Sequence, residues 1–359
     1  MGFASRLQYF TEIRSSFHMS KMQSETRRLE QESFSQVMES SEQVCAKQVK
    51  ISIIGAGKSG MSILQTLLAK RWGSEFAIVD KDENKLKGEL LDFQHCAGFL
   101  PKVCVYGSTD CEVTKNSEIV ILATGVRVTP ECDRSECLKK NLEHYKTLIP
   151  ELMKHSPDCI LLVVSSPVDA MTKAAWKFSG LPRNRVIGVG THVDSSRFQY
   201  LVGDTFGVNP KNVQAFVLGG QESENLLPIW SRTHLAGSRV FGEMAEKTSK
   251  EDIAKKLNQG TEEILKLKGY TDRSIGFSVA TLVERILDDQ HMIEPISTCA
   301  EGHFGIEECV FLSLPVVLCR QGVASVFKME FEEDELNSLK KVASREHDFQ
   351  KVIESERES

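Results

Sequence analysis

Along residues 49–164, apolar runs and polar breaks alternate with the spacing of strands and helices. Residues 51–54 are apolar except for Ser52. They read as a buried parallel strand, because a strand covered on both faces has no solvent side to alternate with. Met61, Leu64, Leu67 and Leu68 recur at helical spacing and predict a helix over 58–71. A second strand is expected at 76–79, then a helix through 89–95, strands at 103–106 and 119–123, a loop over 125–137, a helix reaching 154 and a strand at 160–164. This alternation predicts an α/β fold, a Rossmann doubly wound parallel sheet with its ligand beyond the carboxyl ends of the strands. After about 188 the pattern changes to a helix near 195–206, a strand at 213–218, a long helix through 264 and strand-like runs at 310–314 and 323–327. That half carries no cofactor motif and reads as an α+β substrate-binding domain. The expected division is a polar, serine-rich arm at 1–47, a nucleotide-binding domain at 48–188 and a substrate domain at 189–359.

The first strand runs directly into Gly55, Gly57 and Gly60. In a dinucleotide-binding βαβ unit the first glycine makes the turn, the second lets the backbone approach a pyrophosphate, and the third lets the helix pack against the strand. Asp80 closes the second strand about twenty positions on, where a carboxylate accepts the ribose hydroxyls and repels a 2′-phosphate. The cofactor expected is therefore NAD rather than NADP. Lys58, unusual within the glycine loop, is expected to add attraction for the pyrophosphate. Gly57, Lys58 and Ser59 also spell part of a P-loop, but that loop needs a glycine where Ser52 stands.

Composition narrows the partners. Of 359 residues, 41% are hydrophobic and 26% charged, with a net charge of −6, which gives no electrostatic footprint for nucleic acid or an anionic membrane. No apolar run approaches the roughly eighteen residues of a membrane span. The ten cysteines include no CxxC pair. Three of them, Cys104, Cys159 and Cys309, sit in or beside strand-like runs and are expected to be reduced, buried thiols rather than a disulfide framework or metal site. A cytoplasmic location follows, with the mitochondrial matrix as the alternative, since Arg6, Arg14 and Lys21 among serines loosely resemble a transit peptide while Glu12 argues against one.

The ordered motifs GAGKSG, DENKLKGELLDFQH, ATGVR, VSSPVD, NRVIGVGTHVDSSRF, VLGGQESE, PIWS, LKGYTDRSIGFSVA and EECVFLSLPVVL resemble the L-lactate dehydrogenases, and less closely the malate dehydrogenases of the same fold. The resemblance extends from about residue 47 to the C-terminus. It implies NAD, a homotetramer, and reversible hydride transfer between a small 2-hydroxy acid and its 2-oxo acid. It also implies that Arg197 holds the substrate carboxylate by a bidentate fork. Arg134 corresponds to the loop arginine that polarises the carbonyl. Thr271 and Ile275 match positions against the substrate and nicotinamide, and Gly125 and Ser166 match positions beside the cofactor.

The same resemblance exposes three departures. The family's proton-donating histidine, held by an aspartate corresponding to Asp194, is replaced by Gln221, and the interval from there to Pro228 is one residue longer than the family pattern. The asparagine of the SNPVD motif is Ser166, and the specificity position after Arg127 is Val128. Asp194 has two readings, a retained catalytic partner or a helix N-cap. His192 and His234 stand near the site as substitute bases or as supporting groups, and Glu222 and Glu224 would serve as acids only if buried. Two functions therefore stand side by side: an NAD-dependent 2-hydroxy acid dehydrogenase of strongly reduced turnover, and an inactive NAD(H)-binding sensor or oligomer partner.

Overall fold

A computed structural model describes residues 49–355, except 101, 127–132, 222–223 and 242–246. The arm at 1–47, Val128 and Glu222 lie outside the described residues. From Val49 onward the chain forms one compact unit.

The elements run β1 (Lys50–Ile54), α1 (Lys58–Lys70), β2 (Glu75–Val79), α2 (Glu83–His95), β3 (Cys104–Ser108), β4 (Ile119–Leu122), α3 (Arg134–His155), β5 (Ile160–Val163), α4 (Val168–Ser179) and β6 (Val186–Gly188). They continue with α5 (His192–Phe206), β7 (Val213–Gln214), β8 (Val217–Gly219), β9 (Leu226–Pro228), β10 (His234–Leu235), β11 (Ser238–Arg239), α6 (Lys247–Lys268), α7 (Arg273–Leu287), β12 (Met292–Cys299), β13 (Phe311–Cys319), β14 (Gly322–Val326) and α8 (Glu333–Ser355). Strands β3-β2-β1-β4-β5-β6 lie side by side and parallel, with the reversal of strand order between β1 and β4. That is the doubly wound arrangement expected of the alternating pattern.

Each central strand sends alternate side chains to opposite faces. Ile51, Ile53, Phe76, Ile78, Ile119 and Ile121 join α1 and α7 in one core. Ile54, Val79, Val120, Leu122, Leu161 and Val163 join α3 and α4 in the other. A smaller cluster under α5 and α6 centres on Phe198, with Trp230 edge-on to both Phe198 and Phe241.

The parallel sheet does not end at β6. A single pairing, Gly188 against Ser297, joins it to β12, and β13, β8 and β9 extend it antiparallel. Only an absent side chain permits this approach: a methyl group on Gly188 would lie 2.3 Å from Thr172 Oγ1 and 2.8 Å from Ser297 Cβ. The seam carries α5 directly, because Thr191 N donates to Ser313 Oγ and Ser195 Oγ exchanges hydrogen bonds with the Val217 backbone.

Several expected boundaries shift. The run 213–218 is two strands rather than one: β7 pairs with β10 in a separate three-stranded sheet, while β8 belongs to the large one. The loop expected over 125–137 gives way to helix at Arg134, because Asp133 caps α3 by accepting from Glu136 N at 2.8 Å. Helix α2 begins at Glu83, capped by Asp82, well before 89. Cys104 is exposed and Cys309 half-buried, because they lie at the start of edge strand β3 and just before β13; Cys159 is buried as expected.

Gly188→Ala should therefore lower the unfolding free energy by about 1–3 kcal/mol, the usual penalty of overpacking. Urea unfolding of wild type and variant measures it, and an unchanged midpoint would show that the seam has slack.

Candidate functional site

The cofactor cleft lies at the carboxyl ends of β1 and β4. Gly60 brings α1 against the strand so closely that a methyl group there would sit 2.0 Å from the Gly55 carbonyl oxygen. At Gly57 the situation is reversed: an added methyl group meets nothing within 4 Å. The α1 N-terminus has no side-chain cap and no acidic residue in its first turn, so no side-chain carboxylate of that turn competes with an anion for its dipole. Asp80 is held by two backbone amides, Ala56 N to Oδ2 at 2.7 Å and Asp82 N to Oδ1 at 3.0 Å. An open glycine, uncapped amides and a fixed carboxylate fit a dinucleotide. Lys58 Nζ lies 3.4 Å from the centroid of the Tyr270 ring.

On the opposite wall, Asn141 of α3 staples two loops. Its Oδ1 accepts from Val126 N at 2.7 Å, and its Nδ2 donates to the carbonyls of Val126 and Ser166 at 2.8 and 2.7 Å. Gly125 and Ser166 are thereby set on the cleft, Ser166 through a cis bond to Pro167. The sequence reading passed over Asn141, a buried polar residue on an otherwise apolar helix face.

Arg134 opens α3 and points to the C-terminal helix. Its Nη2 donates to both oxygens of Glu346, at 2.8 and 2.7 Å, and its guanidinium lies over the Phe349 ring. Glu346 is fully buried and also accepts from Asn225 Nδ2 at 2.7 Å. Beside it lies Asp169 of the VSSPVD motif, 1% exposed, whose Oδ2 accepts from the backbone N–H of Gln221 at 3.2 Å. Burial first, and the Glu346 charge second, push the Asp169 carboxyl up to about 7. Gln221, expected to stand where the family has its proton-donating histidine, has its main chain tied to this buried carboxyl group.

Arg197 is likewise engaged. It donates from Nη1 to Asp194 Oδ1 at 2.8 Å and to the Leu257 carbonyl, and from Nη2 to Thr261 Oγ1 at 2.7 Å. Asp194 is not an N-cap: α5 starts at His192, and Asp194 lies inside its first turn. Burial raises its carboxyl, and Arg197 works against that rise. His192 is bound to Ser278 Oγ at 2.7 Å and pairs with Glu294 at 3.2 Å, which makes it a supporting group. His234 Nδ1 lies 3.0 Å from the Arg232 carbonyl in the small sheet, and Glu224 is exposed. Thr271 accepts from Ser59 Oγ through its carbonyl, and Ile275 packs against the first core.

Comparison with known proteins agrees with this geometry. Residues 49–188 match the family description "lactate/malate dehydrogenase, NAD binding domain", and residues 191–355 match "lactate/malate dehydrogenase, alpha/beta C-terminal domain". The chain belongs to the lactate/malate dehydrogenase family. It is 43% identical to L-lactate dehydrogenase A of Hordeum vulgare over 302 residues, 82% of this chain and 84% of that one. With the L-lactate dehydrogenase B chain of Homo sapiens it shares 39% over 310 residues, 85% of this chain and 92% of the relative. The A chain of Xenopus laevis is 40% identical over the same span. As in the family's NAD-binding domain, the cofactor is NAD, which brings to the cleft the capacity to carry a hydride.

Two outcomes follow from this site. Gly57→Ala should leave stability within about 1 kcal/mol, since its backbone suits any residue. It should nonetheless weaken NADH binding at least about tenfold, or ~1.4 kcal/mol, because the methyl group fills the space the pyrophosphate needs; calorimetry decides. The Asp169 carboxyl sits above its ordinary 3.8, so the folded state binds its proton more tightly than the unfolded chain. Its stabilising contribution is complete below that ordinary value and is lost as pH rises through about 7. Between about pH 5 and about pH 8 the wild type should lose stability relative to Asp169→Asn, and parallel urea-unfolding profiles would contradict the assignment.

Proposed function

We propose that this chain is an L-lactate dehydrogenase-like, NAD-dependent oxidoreductase for lactate and pyruvate, or a related 2-hydroxy and 2-oxo acid pair, with strongly reduced turnover. The observation that carries the second half is that both arginines which would meet the substrate are already neutralised from within. Arg197 faces Asp194 and Arg134 faces Glu346. An incoming carboxylate must displace a buried one, and leaving such a group without its partner typically costs about 3–5 kcal/mol. Gln221 donates a hydrogen bond from its amide but has no proton to give at neutral pH. Losing positioned proton transfer alone removes about 10²- to 10⁴-fold of rate.

The same ion pairs favour a second reading, in which the chain binds NAD(H) without turnover and serves as a sensor or oligomer partner. Binding of the nucleotide depends on Gly57, the α1 amides and Asp80, none of which these pairs touch. Family membership supports assembly as a cytoplasmic homotetramer, in which residues 48–188 hold the cofactor, 189–359 complete the substrate site and 1–47 form an arm. Among the described residues no helix is long and apolar enough to cross a membrane.

Steady-state reduction of a panel of 2-oxo acids, with NADH and NADPH binding measured on the same sample, tests both readings. NADH should bind better than NADPH, and pyruvate reduction should fall at least about a hundredfold below that of relatives bearing the histidine. Gln221→His with Ser166→Asn should recover part of the rate, and adding Glu346→Gln should lower the KM for the 2-oxo acid by releasing Arg134. Ordinary wild-type turnover would defeat the proposal, whereas no turnover on any acid with NADH binding intact would select the second reading.

A further inference from the structure

Outside the cleft, the turn between β12 and β13 brings together two cysteines ten residues apart in the chain. The sulfurs of Cys299 and Cys309 and a carboxylate oxygen of Glu301 all lie within 4.8 Å of one another. Cys299 is buried and Cys309 half-buried, so Cys309 is the more exposed of the two. The hairpin holds them there: Cys299 pairs with Phe311, and Ala300 N donates to the Val310 carbonyl at 2.8 Å. Two cations flank the group. Lys173, itself nearly buried, donates to the Cys309 carbonyl at 2.8 Å, and Arg183 pairs with Glu301 at 2.7 Å.

We propose that Cys309 and Cys299 are a peroxide-sensitive dithiol, in which Cys309 is the attacking thiolate and Cys299 the resolving thiol of a reversible intramolecular disulfide. Lys173 and Arg183 disfavour a metal cation and stabilise a thiolate, against the opposing charge of Glu301; the two sulfurs lying within reach of each other at the hairpin supply the attacking and resolving pair. The Cys299 hydrogen bond first, then Lys173 and Arg183, hold the Cys309 thiol below its ordinary range against burial. That same bond and burial push Cys299 up, as suits a thiol that acts second.

The chemistry balances with hydrogen peroxide as oxidant. The Cys309 thiolate attacks one peroxide oxygen, the O–O bond breaks, and the departing hydroxide takes a proton to leave as water. Cys309 is then a sulfenic acid, oxidised by two electrons. The Cys299 sulfur displaces hydroxide from it, and the thiol proton leaves with that hydroxide as a second water. One peroxide is reduced to two waters, and two thiols become one disulfide, which an external dithiol reverses by exchange.

Peptide mapping of the full chain resolves each cysteine. Cys104 is the internal control: it is exposed, but burial of its sulfur and the nearby Glu75 raise its thiol. If exposure governed reactivity Cys104 would react first. The dithiol predicts that iodoacetamide modifies Cys309 about tenfold faster than Cys104, and that hydrogen peroxide yields a Cys299–Cys309 linked peptide lost on reduction. Cys299→Ser should accumulate sulfenic acid at Cys309, trapped by dimedone, and Cys309→Ser should give no linked peptide. Faster labelling of Cys104, or no linked peptide from the wild type, overturns the proposal. So does protection of both thiols from alkylation by stoichiometric zinc without disulfide formation under peroxide, which would make the cluster a metal site.

Discussion

Taking a carboxylate out of water costs several kcal/mol unless a cation or a proton goes with it, and three carboxyl groups of this site, Asp169, Asp194 and Glu346, are at most 3% exposed. Two arginines serve them. Arg197 goes to Asp194 and Arg134 to Glu346, which leaves Asp169 beside a second buried negative charge with no cation of its own. It answers by holding a proton close to neutrality. The orientation of both arginines and the charge of the pocket follow from this shortage of cations. Gln221 brings no charge, and the cation paired with Asp194 is the arginine one helical turn along.

These groups meet because the two halves of the chain share one sheet. The Gly188–Ser297 pairing welds β6 to β12, and the hydrogen bonds of Thr191 and Ser195 then fix the first turn of α5 over β8. Strand β8 ends at Gly219, and the next residues carry Gln221 to Asp169 on α4. Helix α8 closes the pocket from the other side. Gln350 exchanges two hydrogen bonds with the Phe311 backbone, and Lys173 joins α4 to Glu354. Glu346 is thus delivered to the pocket by a helix whose position is pinned at both the strand and the neighbouring helix.

What could be read from the sequence was what is local. The glycines and Asp80 announce their task because turn, helix start and strand end lie within one βαβ unit, where spacing dictates geometry. Asp133 followed three residues on by Glu136 is equally local, a capping pattern that starts α3 at Arg134. Glu346 is different, since its partner Arg134 is 212 residues away. One signal was available: Leu339, Val342, Ala343 and Ile353 mark the buried phase of α8, and Glu346 and Gln350 fall on that phase. A polar residue on the inward face of an amphipathic helix demands a partner, even though sequence spacing does not say which. The exposure of Cys104 was not readable for a related reason, because β3 is apolar in pattern yet lies at the sheet edge.

The cofactor half and the substrate half of the site differ in what they are made of, and this determines how each responds to change. The cofactor cleft is built of main chain, a helix dipole and an empty volume at Gly57, features that survive most substitutions elsewhere. The pocket around Gln221 is built of side-chain charges, whose direction depends on every other charge in the same low-dielectric surroundings. The two arginines point to Glu346 on α8 and to Asp194 on α5, so their directions rest on side-chain charge and not on the strands. The carboxyl and guanidinium groups around Gln221 share no residue with Gly57, the first turn of α1 or Asp80, so a change among those charges leaves the main-chain features of the cleft in place.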